Sequence, residues 1–281
     1  MPRTLVFCRE NAQLGNRLIV YAHLLAAARE RGWELANPTF EPYADWFVGT
    51  RSRPHGRRLW PVRLAWQLGK VCAPLSAGIV ARARARGVVE VDLQATLPAA
   101  EAGAARWLLL QGYRIRCPDW AQKQAAGLRQ FFTPIDDYRQ PAEQRVSEVR
   151  ARADTVVGIH VRHGDYAQHL GGRYFYGFAQ YAGFMRAMIA NLAPRRVGFV
   201  ICTHVALDRS VFSGLDWVAG PGHPAADLHA LSLCDYIVGP PSSFSAWAAF
   251  HGETALWQAE SGEARCELGA FRSPRHPDFA L

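Results

Sequence analysis

The chain has 281 residues, 49% of them hydrophobic and 20% charged, so it carries enough apolar material for a core and enough length for two domains, which excludes a disordered or low-complexity polypeptide. Its 32 Lys and Arg against 24 Asp and Glu give a formal net charge of +8, which favours anionic partners, while six cysteines without a C-x-x-C pair exclude the usual zinc-finger and redox motifs. No apolar run reaches the length that spans a bilayer, and Met1 to Cys8 is too short an apolar start for a secretory signal, so the expectation is a cytoplasmic protein with free thiols buried as small hydrophobes.

In chain order, Leu5 to Cys8 reads as a first strand. After a turn at Gln13-Leu14-Gly15-Asn16, the spacing of Leu18, Tyr21, Ala22, Leu25 and Ala28 predicts a helix, which Gly32 stops. Trp33 to Ala36 is the next strand, giving a βαβ opening. Residues 40 to 130 show no sustained period and predict only short helices. Within them, Arg51, Arg53, Arg57, Arg58, Arg63, Lys70, Arg82, Arg84 and Arg86 stand with no acidic residue between, interleaved with Trp60 and Trp66. Two readings fit this stretch: contact with an anionic membrane surface or other polyanion, or a solvated cationic face. No nucleic-acid-binding module is present.

Phe131 to Pro141 reads as a linker and Ala142 to Ala153 as a connecting helix, which divides the chain into domains 1–141 and 142–281. In the second half, strand and helix alternate. An almost continuously apolar strand occupies Val156 to Val161. A helix follows with Phe178, Tyr181, Phe184, Met185, Met188, Ile189 and Leu192 on its core face. Then come strand Val197–Cys202, helix Asp227–Leu233, strand Tyr236–Val238, helix Phe244–Phe250 and strand Thr254–Trp257. Such alternation predicts mainly parallel sheets.

Two segments carry chemistry. The strand at Val156 delivers His160, Arg162, His163 and Asp165 into a glycine-containing loop, and carboxyl ends of strands in open α/β sheets are where ligands bind. Arg162 is suited to an anion, because its fork of donors matches phosphate oxygens. The plainer reading of the same loop is an ion pair between Arg162 and Asp165. The second segment, Gly239-Pro240-Pro241-Ser242-Ser243-Phe244, brings hydroxyls and backbone N–H groups to a helix start. That makes an anion site, or simply a capped helix.

These residues carry a resemblance. His160-Val161-Arg162-His163-Gly164-Asp165 resembles the H-x-R-[RH]-G-[DN] signature of the GDP-fucose-dependent fucosyltransferases, which include the α-1,2, nodulation-type and α-1,6 enzymes and the protein O-fucosyltransferases. Asp227 to Val238, ending at Ser242-Ser243, is similar to the donor-binding segment of the α-1,6 enzymes, and Leu14-Gly15-Asn16-Arg17-Leu18 to the turn that opens the α-1,2 family. The resemblance implies a GT-B-like α/β fold of two Rossmann-like domains facing each other, the second holding the nucleotide sugar and the first the acceptor. It implies an inverting transfer of fucose, or a related deoxyhexose, from GDP to a glycan or lipid-linked glycan hydroxyl, with no metal and no cofactor beyond that donor. It assigns Arg162 to the β-phosphate, His160 and Asp227 to the guanosine, and Ser242, Ser243 and Phe244 to the pyrophosphate. Gly15 and Asn16 would approach from the first domain. Asp165 or Glu10 would take the acceptor's proton, and His163 stands with Arg162 and Asp165 among the catalytic residues.

Two departures accompany the likeness. The second signature arginine is replaced by His163, as in the nodulation-type enzymes, and Thr203-His204-Val205 stand where relatives carry an acidic pair. His160, His163 and His169 match no zinc spacing. A catalytically silent nucleotide-sugar or glycan binder on the same scaffold, and a basic polyanion-binding protein, are the alternatives.

Overall fold

The computed structural model describes residues 4–9, 13–51, 80–84, 91–102, 107–112 and 114–274. Glu10 lies outside them, and so does nearly all of the basic stretch from Arg51 to Arg86. The chain forms two compact units, Met1–Thr133 and Pro134–Leu281.

The amino-terminal unit contains strands β1 (Thr4–Arg9), β2 (Glu34–Ala36), β3 (Val80–Arg84), β4 (Val91–Asp92), β5 (Trp107–Gln111) and β6 (Ile115–Arg116). Its main sheet has the order β2-β1-β5-β3 with every pair parallel, and β4 and β6 pair separately. The predicted βαβ opening is there. Helix Leu14–Arg31 joins β1 to β2 and stops at Gly32, whose φ of 62° would cost another residue about 1–2 kcal/mol. The expected turn at Gln13 to Asn16 is absent, because the helix already starts at Leu14 and Gly15 and Asn16 lie in its first turn. Tyr21 on this helix meets Phe40 and Phe132 edge-on, with ring centroids 5.0 and 5.2 Å apart, and these rings form part of the unit's core. Strands β3 and β5 fall where the sequence suggested only short helices. A five-residue run such as Trp-Leu-Leu-Leu-Gln has no period to separate strand from helix, and its pairing with β1 decides.

The carboxyl-terminal unit holds β7 (Thr155–His160), β8 (Val197–Cys202), β9 (Trp217–Ala219), β10 (Tyr236–Gly239) and β11 (Ala255–Gln258). They form one parallel sheet of order β11-β10-β7-β8-β9. All six residues of β7 and of β8 are buried, as their mostly apolar composition leads one to expect of strands covered on both faces. Alternate side chains of β7 serve the two faces. Val157 and Ile159 join Tyr181, Met185 and Met188 of helix Phe178–Leu192 in one core, whereas Gly158 lies beneath Leu231, whose Cδ2 would stand 2.7 Å from a Cβ built there. The Met and aromatic stripe of that helix is therefore core packing, except that Ile189 is exposed.

Three expectations need correction here. Phe131 to Pro141 is not a linker, since helix Asp136–Arg150 runs straight through Pro141, and the two aspartates that suggested a loop occupy the first helical turn, where they complement the helix dipole. The units consequently divide at Thr133, not at residue 141. Strand β9 was missed because three residues carry too little pattern. Cys117, Cys202, Cys234 and Cys266 are buried free thiols, and burial pushes Cys266 up to about 12. No helix among the described residues is long and apolar enough to cross a membrane.

Candidate functional site

The strand order locates the site. The chain enters this sheet at its central strand β7, builds outward on one side through β8 and β9, then returns to the other side for β10 and β11. The loops leaving β7 and β10 thus diverge from a switch point, where open parallel sheets leave a crevice at their carboxyl ends. Both segments singled out in the sequence are these two loops.

They converge. His160 ends β7, and its ring lies 5.0 Å from that of Phe244 beyond β10. Gly239 permits this approach, since a Cβ on it would stand 2.9 Å from the His160 carbonyl oxygen. The Arg162 guanidinium lies over the Tyr166 ring, with Cζ 5.0 Å from the centroid, and the Tyr166 hydroxyl donates to the Pro241 carbonyl at 2.8 Å. Tyr166 thereby ties the arginine's loop to the serine loop. The Arg162 backbone N–H donates to the Tyr181 hydroxyl at 3.2 Å. The Arg162–Asp165 ion pair that the sequence allowed is also present, Nη2 lying 2.8 Å from one carboxylate oxygen and 3.0 Å from the other. It engages one arm of a guanidinium that carries five N–H donors.

Ser242 caps helix Ser243–Gly252, its hydroxyl oxygen accepting from the Phe244 N–H at 3.2 Å. The adjacent Ser243 hydroxyl is half-buried and has no protein partner among the described residues. The capping and anion-site readings are therefore compatible, divided between neighbouring serines. Asp227 sits in the first turn of helix Pro224–Ser232 and accepts from the Gly222 N–H at 2.8 Å. Gly220 leaves room for it, because a Cβ there would stand 2.8 Å from both the Asp227 carboxylate and the Cys202 sulfur at the end of β8. Burial raises Asp227 from 3.8 to about 6. His160 moves the other way. It is 5% exposed, its Nδ1 has no partner among the described residues, and burial, reinforced by Arg162 and His204, lowers it to about 3, so that it stays a neutral imidazole. His160 pairs with Cys202 in the β7–β8 register, so Phe244, His160 and Asp227 follow one another across the ends of β10, β7 and β8.

His163, expected among the catalytic residues, is held by the segment after the loop. Its Nε2 donates to the Tyr176 carbonyl at 2.7 Å, and its ring packs 4.6 Å from Phe175 and 5.0 Å from Phe178. These contacts tie the loop after β7 to the segment that leads into helix Phe178–Leu192. His204, noted in the sequence only as part of a departure from the acidic pair, stands in the site. A Cβ on Gly164 would lie 2.8 Å from its Nε2, and Gly164 has a φ of 65° that also favours glycine. Burial, then Arg162 and His163, lower the His204 pKa against an opposing pull from Asp165. The adjacency of the β7 and β8 ends brings it there, which no periodicity could reveal. His169 stacks on Tyr166, and no three of the described His, Cys, Asp and Glu residues are grouped to hold a metal ion. Gly15 and Asn16 belong to the amino-terminal unit, and Glu10 falls outside the described residues.

Residues 126–255, which hold every one of these carboxyl-terminal groups, match the model of Glycosyl transferase family 11. Over that segment the chain is similar to the family 11 glycosyltransferases. No curated protein matches it in sequence. In fold, the family 11 segment and the rest of the chain are similar to a mutant of Arabidopsis thaliana FUT1 in complex with GDP, with a TM-score of 0.64 and 15% identity over 96% of this chain and 74% of that one. The chain is similar also to the fucosyltransferase NodZ from Bradyrhizobium (TM-score 0.59, 16% identity, 94% and 98% covered) and to POFUT1 in complex with GDP (0.54, 10%, 90% and 95%). The fold is thus the GT-B-like α/β fold expected from the sequence, and the resemblance to GDP-fucose-dependent fucosyltransferases holds in fold across nearly the whole chain.

Proposed function

We propose that the protein is an inverting glycosyltransferase that moves fucose, or a related deoxyhexose, from a GDP-sugar to a glycan hydroxyl and needs no metal to do so. The observation that carries this reading is the convergence of Arg162, through Tyr166, on the Pro241 to Ser243 loop at the switch point of the family 11 segment. Known structures of the same fold hold GDP or were soaked with GDP-fucose, which supports the choice of donor.

The roles follow from the chemistry of the groups. The diphosphate meets the Arg162 guanidinium and the amino-terminal turn of helix Ser243–Gly252, with the Ser243 hydroxyl as a further donor. Guanine offers two adjacent N–H donors on one edge, which the ionised Asp227 carboxylate is suited to accept, and the neutral His160 ring packs beside Phe244 against the nucleoside. In the reaction the acceptor oxygen forms a bond to the anomeric carbon while that carbon's bond to the β-phosphate oxygen breaks, and the electron pair stays on GDP. Negative charge grows on the phosphate, so a fixed guanidinium there stabilises the transition state more than the ground state. The acceptor's proton needs a base. Asp165 is committed to Arg162, whereas His204, kept in its neutral form beside that pair, is suited to receive the proton on Nε2.

The test is calorimetry with GDP together with turnover of GDP-fucose against a panel of oligosaccharide acceptors. The reading requires GDP binding that is lost in Arg162→Ala, and transfer that inverts the anomeric centre in the presence of a chelator. Binding without turnover would favour the silent binder on the same scaffold. Indifference to GDP would remove both.

A further inference from the structure

Beside the donor loops, and entirely within the carboxyl-terminal unit, lies a cavity of about 640 Å³ that the proposed transfer does not use. It opens past the carboxyl end of edge strand β11, and Tyr174, Pro241, Gln258, Glu260, Arg265 and Arg272 contribute to its lining. Its volume lies in the range of small-ligand sites and is ample for one or two sugar rings.

Two contacts make it continuous with the candidate donor site. Pro241, part of its wall, accepts the hydrogen bond from Tyr166, the residue beneath Arg162. Gln258, also in the wall, donates through Nε2 to the Ser242 carbonyl at 3.3 Å. Pro241 is therefore common to the cavity wall and to the candidate diphosphate loop.

The lining describes the ligand. A sugar ring presents hydroxyls around its edge and C–H groups on its faces, which planar polar side chains and a tyrosine ring complement; here an amide, a carboxylate, two guanidiniums and Tyr174 supply both. The charges are unequal. Arg265 and Arg272 stand against the single carboxylate Glu260, and the Arg173 guanidinium lies 5.1 Å from the Tyr174 ring centroid. Arg272 is braced by donating from Nη1 to the Gly269 and Phe271 carbonyls at 2.8 and 3.0 Å. Arg265 is exposed and has no hydrogen-bond or ion-pair partner among the described residues. An unpartnered guanidinium beside a second, fixed one is suited to a carboxylate or phosphate group, which it can grip with two parallel hydrogen bonds.

We infer that this cavity is a subsite for a negatively charged sugar residue of the acceptor glycan, with Arg265 as its principal anion ligand and Arg272 as support. That the ligand is an acceptor rests on the glycosyltransferase reading above; that the cavity selects an anionic saccharide does not.

The experiment uses the full-length protein and three tetrasaccharides of one backbone, carrying a glucuronate carboxylate, a 6-phosphate or no charge, each titrated calorimetrically with and without GDP. At least one charged probe is expected to bind about tenfold or more tightly than the neutral one, in line with the strength of hydrogen bonds to charged groups. The stronger of the two names the anion. Arg265→Ala is expected to erase most of that preference, Arg265→Glu to abolish it, and both to leave the affinity for GDP within about twofold, since Arg265 touches none of the donor groups. Equal affinity for all three probes overturns the inference, and so does a preference that survives Arg265→Glu. If wild-type protein ignores GDP but discriminates the charged sugar through Arg265, the transferase reading fails while the subsite stands. If it binds GDP without discriminating charge, the subsite fails while the transferase reading stands.

Discussion

Asp227→Asn separates a ligand-binding carboxylate from a structural one. The substitution keeps the side chain's shape and leaves an oxygen for the Gly222 N–H, but removes the charge. Burial raises this acid from 3.8 to about 6, a shift of roughly 2 units, which corresponds to about 3 kcal/mol. The sign follows from proton linkage. A raised acid contributes stability that is complete below pH 3.8 and lost as pH rises through about 6, because the native state holds the proton more tightly than the unfolded chain does. An asparagine does not titrate. The variant should therefore gain on the wild type as pH rises, with the difference in unfolding free energy shifting by about 3 kcal/mol in its favour between about pH 3.5 and about pH 7.5. Urea unfolding at the two pH values, followed by the fluorescence of the buried Trp247 and Trp257, measures it. Calorimetry on the same variant at the higher pH should show GDP affinity falling at least about tenfold, because an amide offers guanine one acceptor where the carboxylate offered two. A more stable protein that binds its ligand less well is the mark of a charge kept for binding. A stability difference that does not change with pH would refute the buried acid, and unchanged GDP affinity would refute the nucleoside role.

Three further outcomes test the rest of the site. Arg162→Lys keeps the charge but not the fork, so turnover of GDP-fucose should fall about 10²-fold or more with little change in unfolding midpoint; steady-state kinetics within about threefold of wild type would rule out leaving-group stabilisation. The proposed base, His204, must be neutral to act; burial, then Arg162 and His163, hold its pKa below 6.5 against the opposing pull of Asp165. Activity should consequently decline on the acid side of that value, and His204→Gln should lower turnover about 10²-fold and remove this acid limb, whereas a limb of unchanged position in the variant would assign the proton elsewhere. Gly158→Ala places a methyl against Leu231 and within 3.2 Å of the Cys234 sulfur in the packed centre of the sheet; the denaturation midpoint should report a loss of about 1–3 kcal/mol, and an unaffected midpoint would mean that helix Pro224–Ser232 has room to give.

The residues themselves determined the αβ alternation of the carboxyl-terminal unit, because apolar runs such as Val156 to Ile159 and 3.6-residue spacing such as Tyr181, Met185, Met188 are local signals. They also singled out the loops after β7 and β10, since Arg162 and Ser243 are residue types suited to phosphate. Tertiary structure decided what those signals could not contain. Strands β3, β5 and β9 are too short or too featureless to announce themselves and exist through pairing with neighbours. Strand order brought Tyr166 to Pro241 and His160 to Phe244 from about 75 and 84 positions away along the chain. The same packing turned His163 into an aromatic cluster and set His204 near Arg162, neighbours that their places in the sequence did not announce. A side chain's type is fixed by its codon, but its neighbours across a sheet are fixed by which strands lie side by side, and that is a property of the whole fold.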